Sequence, residues 1–240
     1  MAYNHKYVIG SQYQFYNNSE ILDTNVNFAS WRCDLVHSDS LVAAVTSVCT
    51  LTKDIISGVS YRWYSNLFTF PSVGVGCFRF LVTDTVSGLV MYMSDEIDTA
   101  TSDEDLLYVK FRNAINIFNF NYVGVPTFYN YYHIEMLKRK PINPEVTQGY
   151  DVSTGAFQRV RTIFTKSFEF VTGWFDDSEH EATQTMCIHS DIQIFYNGVW
   201  NAMAKPQDSE YLIEWMENYE NIEASFRLEQ TNKSTSNLAL

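Results

Sequence analysis

Basic residues are scarce in this chain: 16 lysines and arginines stand against 28 aspartates and glutamates, a formal charge of −12. A surface of that sign does not neutralise phosphates, so direct binding of nucleic acid is not expected. It does suit a wall along which DNA slides without sticking, and lining a DNA channel is one role left open. No apolar run reaches the roughly 18 residues that span a bilayer. The start, Met1 to Gln14, is polar and aromatic instead of a basic stretch followed by an apolar one. Neither membrane insertion nor a conventional export signal is expected. Cysteine is sparse as well. Cys33, Cys49, Cys77 and Cys187 lack CxxC spacing and lie in or beside apolar segments, which predicts buried free thiols instead of a zinc site.

The patterns of catalysis are missing too. There is no GxSxG and no phosphate-cradling glycine loop, and Gly74-Val75-Gly76 lacks the third glycine of a dinucleotide turn. His180-Glu181 opens like a zinc-protease helix, but Gln184 stands where the second histidine is needed. His180 and His189 are nine apart, on different sides of a helix, and are expected in core or capping roles. The adjacent acids Asp176 and Asp177 read as capping groups at a loop-to-helix junction. The acidic run Asp95 to Asp105 lacks the alternating oxygens and tight glycine turn of a calcium loop. The expectation is a protein that is not an enzyme and carries no cofactor or metal.

Aromatic residues, in contrast, are abundant at 16%, with 17 Phe and 16 Tyr, and such rings favour the pleated, half-buried surface of strands. Period-two alternation supports that reading. Trp31, Cys33 and Leu35 share one face, and Leu107, Val109 and Phe111 alternate with Tyr108, Lys110 and Arg112. Tyr61 to Phe70 is an aromatic strand, Cys77 to Thr83 another, and Leu89 to Ser94 its hairpin partner. Leu89 to Met93 is apolar on both faces, as expected inside a sandwich. Lys138 to Lys140, followed by Pro141, reads as a basic linker, and Gly149 to Gly155 as a loop. Asp176 to His189 breaks the β pattern with acids at its front and predicts one short helix. Asn197-Gly198 is the preferred two-residue hairpin turn between Asp191 to Tyr196 and Val199 to Asn201. A last strand is expected over residues 222–229.

These readings predict an all-β chain, a β-sandwich of immunoglobulin-like or jelly-roll-like type with one short helix, and two sandwich units. The divisions expected are an N-terminal arm over residues 1–20, a sandwich over 21–100, a second β-rich domain over 106–230 and a flexible tail over 231–240. Tyr13, Phe15 and Tyr16 lie on the arm, which either clasps a neighbouring subunit or packs on its own domain. Tyr129, Tyr131 and His133 form an outward stripe of rings, suited to contact with another subunit or, alternatively, to stacking against a sugar. These six are the candidate interface residues.

Several segments taken in order resemble one family. They are Phe70-Pro71, Val73 and Val75-Gly76-Cys77-Phe78-Arg79-Phe80-Leu81-Val82-Thr83-Asp84-Thr85; Met91-Tyr92-Met93-Ser94-Asp95; Val109-Lys110-Phe111-Arg112-Asn113; and Thr127-Phe128-Tyr129-Asn130. Thr172, Asp176, His180-Glu181, Ile192, Ile194 and Asn197-Gly198 follow. Over about Tyr61 to Trp200 the chain resembles minor tail proteins of phages of gut Bacteroidetes, including crAss-like phages, whose short tails are stacks of protein rings around a DNA channel. The resemblance implies a structural virion protein of the tail, made in the host bacterial cytoplasm. It would form a ring, barrel or baseplate as a symmetric homo-oligomer, beside other tail, portal-proximal or baseplate proteins. A carbohydrate-binding sandwich on the virion that contacts the host surface is the alternative. The resemblance carries no catalytic residues.

Overall fold

The structure is a computed structural model and describes residues 5–21, 27–55, 61–102, 105–116, 122–142, 145–151, 157–173, 175, 177–207, 209–214, 223–231 and 234–237. It is mostly β, sandwich-like, with one short helix among the described residues, as the alternation of the sequence predicts. The chain divides into two units, Met1–Ile134 and Glu135–Leu240.

Unit 1 is organised by alternating strands that share one aromatic core. In order its strands are β1 (His5–Val8), β2 (Gln12–Tyr13), β3 (Tyr16–Ile21), β4 (Trp31–His37), β5 (Ala43–Cys49), β6 (Leu51–Ile55), β7 (Tyr61–Ser65) and β8 (Phe68–Thr69). They continue with β9 (Cys77–Asp84), β10 (Val90–Met93), β11 (Ile97–Ala100) and β12 (Leu106–Arg112). The main sheet runs β1-β11-β9-β4-β5, with β10 also on β9. β4 and β9 pair antiparallel along the whole of β4, from Trp31 opposite Asp84 to His37 opposite Phe78. This register places Cys33 and Leu35 beside Val82 and Phe80 on the inner face. The sheet β3-β7-β6 and the short pair β2-β8 supply Tyr13, Trp63 and Phe68 to the same core, where Phe15 stacks on Phe80 at 5.2 Å and meets Trp63 edge-on at 5.8 Å. Edge-to-face and offset packing suits the ring quadrupoles and lets bulky side chains fill the core without voids. Asp34 points the other way yet is buried. Arg32 grips it with two nitrogens at 2.7–2.9 Å, and the N–H of Ser47 donates to it at 2.9 Å. Ser47 takes a positive φ of 54°, so this carboxylate secures an irregular turn of the backbone within β5.

The strand β13 (Asn130–Ile142) runs across the division between the units. Unit 2 continues with β14 (Glu145–Asp151), β15 (Phe157–Phe164), β16 (Ser167–Thr172), the helix α1 (Asp177–Cys187), β17 (Asp191–Tyr196), β18 (Val199–Ala204), β19 (Leu212–Glu214), β20 (Glu223–Gln230) and β21 (Ser234–Asn237). β20 is the hub: its alternating Ala224, Phe226 and Leu228 are buried, β16 pairs along one edge, and β19 and β18 pair along the other. Phe226 is stacked between Phe170 at 5.2 Å and Tyr211 at 5.9 Å. The hairpin β17-β18 turns through Asn197 and Gly198, both at positive φ, 54° and 77°, which is the backbone that a two-residue turn of this type demands. On α1, His180, Thr183, Met186 and Cys187 are buried, spaced three and four apart as one helical face requires. His189 closes the helix, its Nδ1–H donating to the Thr185 carbonyl at 2.6 Å.

Several expectations are corrected. Of the two expectations for the N-terminal segment, packing on its own domain holds for residues 5–21: β1 pairs with β11, β2 with β8 and β3 with β7. Their strands are two to six residues long, too short for a period to show. The acidic stretch from Asp95 is not a bare connection, because β11 inserts Ile97 into the core of unit 1. The division of the chain falls at Ile134/Glu135 instead of near residue 105. Lys138 to Lys140 continue β13 and pair with β16, so they form no linker. The expected loop at Gly149 is strand as far as Asp151, whereas 152–156 lie outside the described residues. Ser234–Asn237 of the expected loose tail pairs with β15. The strand expected over residues 222–229 falls at Glu223–Gln230 and is followed by β21, and Ile222 lies outside the described residues.

Candidate interaction surface

Two of the six candidate interface residues are core residues. Tyr13 is 3% exposed and His133 5%. The Tyr13 hydroxyl accepts the N–H of Val8 at 2.7 Å and lies 2.8 Å from His133 Nδ1. The Tyr13 hydroxyl and His133 Nδ1 therefore share one buried hydrogen bond. The His133 ring stacks on Tyr108 at 4.2 Å and 9°, and the Tyr108 hydroxyl donates to the Gln12 carbonyl. Nε2 is buried with no hydrogen-bond partner among the described residues. Burial without a nearby acid pushes the His133 pKa down to about 3, so the ring stays neutral at pH 7. The Tyr13 hydroxyl and His133 Nδ1 satisfy each other, which offsets part of the cost of burying the two polar rings. The contact between Tyr13 and His133, 120 residues apart, has no local signature in the sequence.

The other four are half-buried and engaged. Phe15 packs among Trp63, Phe68 and Phe80. Tyr16 stacks parallel to Tyr64 and donates its hydroxyl to Asp54. Burial, followed by that carboxylate, raises the Tyr16 pKa. Tyr129 lies under two cations, Lys110 Nζ at 4.9 Å and the Arg112 guanidinium at 5.4 Å from its ring centre. Tyr131 sits beside Tyr108 and packs against the core of unit 1, and burial pushes its pKa up to about 12. The stripe Tyr129, Tyr131, His133 is therefore not an outward row of open rings.

Among the described residues, a run of exposed apolar side chains lies elsewhere, at β10 and its turn. Val86, Leu89, Val90, Met91 and Met93 are all exposed, Val90 by 59% and Met93 by 46%. This corrects the expectation that the two apolar faces of Leu89 to Met93 are buried inside a sandwich. Among the described residues β10 pairs with β9 alone, through Val90–Thr83, Tyr92–Val82 and Met93–Leu81. Only Tyr92 turns inward, its ring edge-on to Trp63 at 5.3 Å, and it anchors the strand. β10 has no charged residue and no proline, the devices that ordinarily keep a free sheet edge from pairing with another chain. The signal was present in the sequence as an uncharged, two-faced strand, but alternation alone does not say what covers it.

One group has metal-ligand chemistry. The ligand atoms of Cys77, Glu96 and Asp98 lie within 4.8 Å of one another. The Cys77 thiol is within 3.1 Å of Asp98, Ser38 donates to Glu96, and the Arg79 guanidinium stands 3.5 Å from the same carboxylate. The hydrogen bond to Asp98, then its charge, pushes the Cys77 pKa up to about 11, which keeps the group a thiol instead of the thiolate that binds metals. Cys77 is exposed, contrary to the expectation for all four cysteines, whereas Cys33, Cys49 and Cys187 are buried and free. His180 and His189 are both buried, one bonded to the Tyr211 hydroxyl at 2.9 Å, the other at the end of α1.

No helix among the described residues is long and apolar enough to cross a membrane. Compared with known proteins, the chain matches no family model, no curated protein and no solved structure.

Proposed function

We propose that this chain is a structural subunit that works as one copy in a symmetric homo-oligomer, as a ring, barrel or baseplate component of a bacteriophage tail. The observation that carries the reading is the β10 edge: a single-sided, uncharged strand flanked by exposed Val86, Leu89, Val90, Met91 and Met93. Exposed apolar side chains along an unpaired strand edge mark a contact for another protein. A free strand edge adds main-chain hydrogen bonds to that contact. The placement in a phage tail rests on the resemblance of the segments between Tyr61 and Trp200. The charge of −12 suits a wall beside DNA that does not bind it. Coverage of Tyr129 by Lys110 and Arg112 favours protein contact over sugar stacking for that ring.

The test is the mass of the purified full chain by light scattering, beside that of a Val90→Lys variant. The reading expects a fixed multiple of 27.8 kDa for the natural chain. The variant places on the edge a charge that the contact would have to strip of water, and it should dissociate at least tenfold more readily, a penalty of about 1.4 kcal/mol per contact. A natural chain that stays monomeric at high concentration would overturn the reading.

A further inference from the structure

Cys33 and Cys49 face each other across two strands. β4 and β5 are antiparallel, and Cys33 is the direct partner of Cys49 in their ladder. Both side chains belong to the core of unit 1. Directly opposed residues on antiparallel strands have Cβ atoms about 4.5–5.5 Å apart. A disulfide asks for about 3.5–4.5 Å, so closure needs a shift of roughly 1 Å. β5 can give that shift. It pairs only with β4 among the described residues, its ladder slips register on both sides of Leu35, and Ser47, two residues before Cys49, has a positive φ.

We propose that Cys33 and Cys49 are an intrachain disulfide site, oxidised by exchange with a low-molecular-weight disulfide. The Cys49 thiolate attacks one sulfur of that disulfide, and the first small thiolate leaves. The Cys33 thiolate then attacks the Cys49 sulfur of the mixed disulfide and expels the second. Two protein thiols lose two electrons and two protons, and the small disulfide is reduced to two thiols. Cys33 is fully enclosed, whereas Cys49 ends an edge strand. The neighbouring Cys49 thiol and burial hold the Cys33 pKa above its ordinary value. Exchange therefore runs through opening of the end of β5, which exposes Cys49 first. The bond closes a loop containing β5 and staples this edge of the main sheet to β4. The site stands on the geometry of unit 1 and is independent of the assembly proposed above.

The experiment uses the full chain with Cys77→Ser, which removes the exposed thiol. It is incubated with oxidised glutathione at pH 8, and in parallel refolded from denaturant in the same redox buffer. The expected result is a mass lower by about 2 Da and, after proteolysis without reduction, a peptide joining Cys33 to Cys49. Tm should rise by about 5–10 °C, the increment for a closed loop of this length, and dithiothreitol should reverse the rise. Adding Cys33→Ser should stop the reaction at a glutathione adduct on Cys49. Cys33 and Cys49 both remaining free, each carrying its own glutathione, or either joining Cys187, in both the native and the refolding arm, would overturn the proposal.

Discussion

Replacing Trp63 by alanine is expected to destabilise unit 1 by about 3–5 kcal/mol, a large part of the 5–15 kcal/mol that holds a typical domain together. Trp63 is fully buried at the meeting point of the two sheets of the unit, edge-on to Phe15 at 5.8 Å, Trp31 at 6.1 Å and Tyr92 at 5.3 Å. Truncation removes the transfer energy of the indole and leaves a cavity lined by rings that cannot collapse together without abandoning their strands. Urea unfolding followed by tryptophan fluorescence, which keeps four other tryptophans as reporters, measures the change. The same substitution removes the ring against which Tyr92 anchors β10, so the edge proposed as the subunit contact should loosen as well. A variant as stable as the natural chain would show that the sheets of unit 1 do not share this core.

The second large effect is a dependence on pH set by His133. Its pKa of about 3 in the folded chain lies far below the unfolded value of about 6.5. Below pH 6.5 the unfolded chain binds a proton that the folded chain refuses, so stability falls as the pH drops from 6.5 towards 3 and is unaffected by this group above 6.5. At pH 4.5 the loss is on the order of 2–3 kcal/mol. His133→Gln keeps a hydrogen-bonding partner for the Tyr13 hydroxyl but does not titrate. The stability difference between the natural chain and this variant should shift by that amount, against the natural chain, between pH 7 and pH 4.5. Urea denaturation at both pH values reads it. Parallel pH profiles for the two proteins would place the His133 ring in contact with water.

Strands with one clean buried face were legible in the sequence. β20 alternates in burial as Ala224/Phe226/Leu228 suggest, and the faces Trp31/Cys33/Leu35 of β4 and Leu107/Val109/Phe111 of β12 are buried as expected, although Asp34, Val36 and Tyr108 between them are buried too. The β17-β18 hairpin follows from Asn197-Gly198, and α1 from the acids that open its segment. Two kinds of feature were hidden. Short strands such as β1, β2 and β21 are defined by partners 55 to 92 residues away, and two to four residues do not display a period. Apolar residues report a tendency to be covered, not what covers them: Tyr13 and His133 turned out to cover each other, while Leu89 to Met93 are left open. Of the interface residues expected from the sequence, Tyr13 and His133 lie in the core and the other four are half-buried, whereas the edge that carries the proposed contact reads as core in the sequence.

Electron microscopy of the purified full-length chain, with class averages of single particles, tests that contact most directly. Subunits joined through β10 predict closed particles with rotational symmetry, and their loss in the Val90→Lys variant. Isolated particles of one chain without symmetry, or closed particles that persist unchanged in the variant, would contradict it.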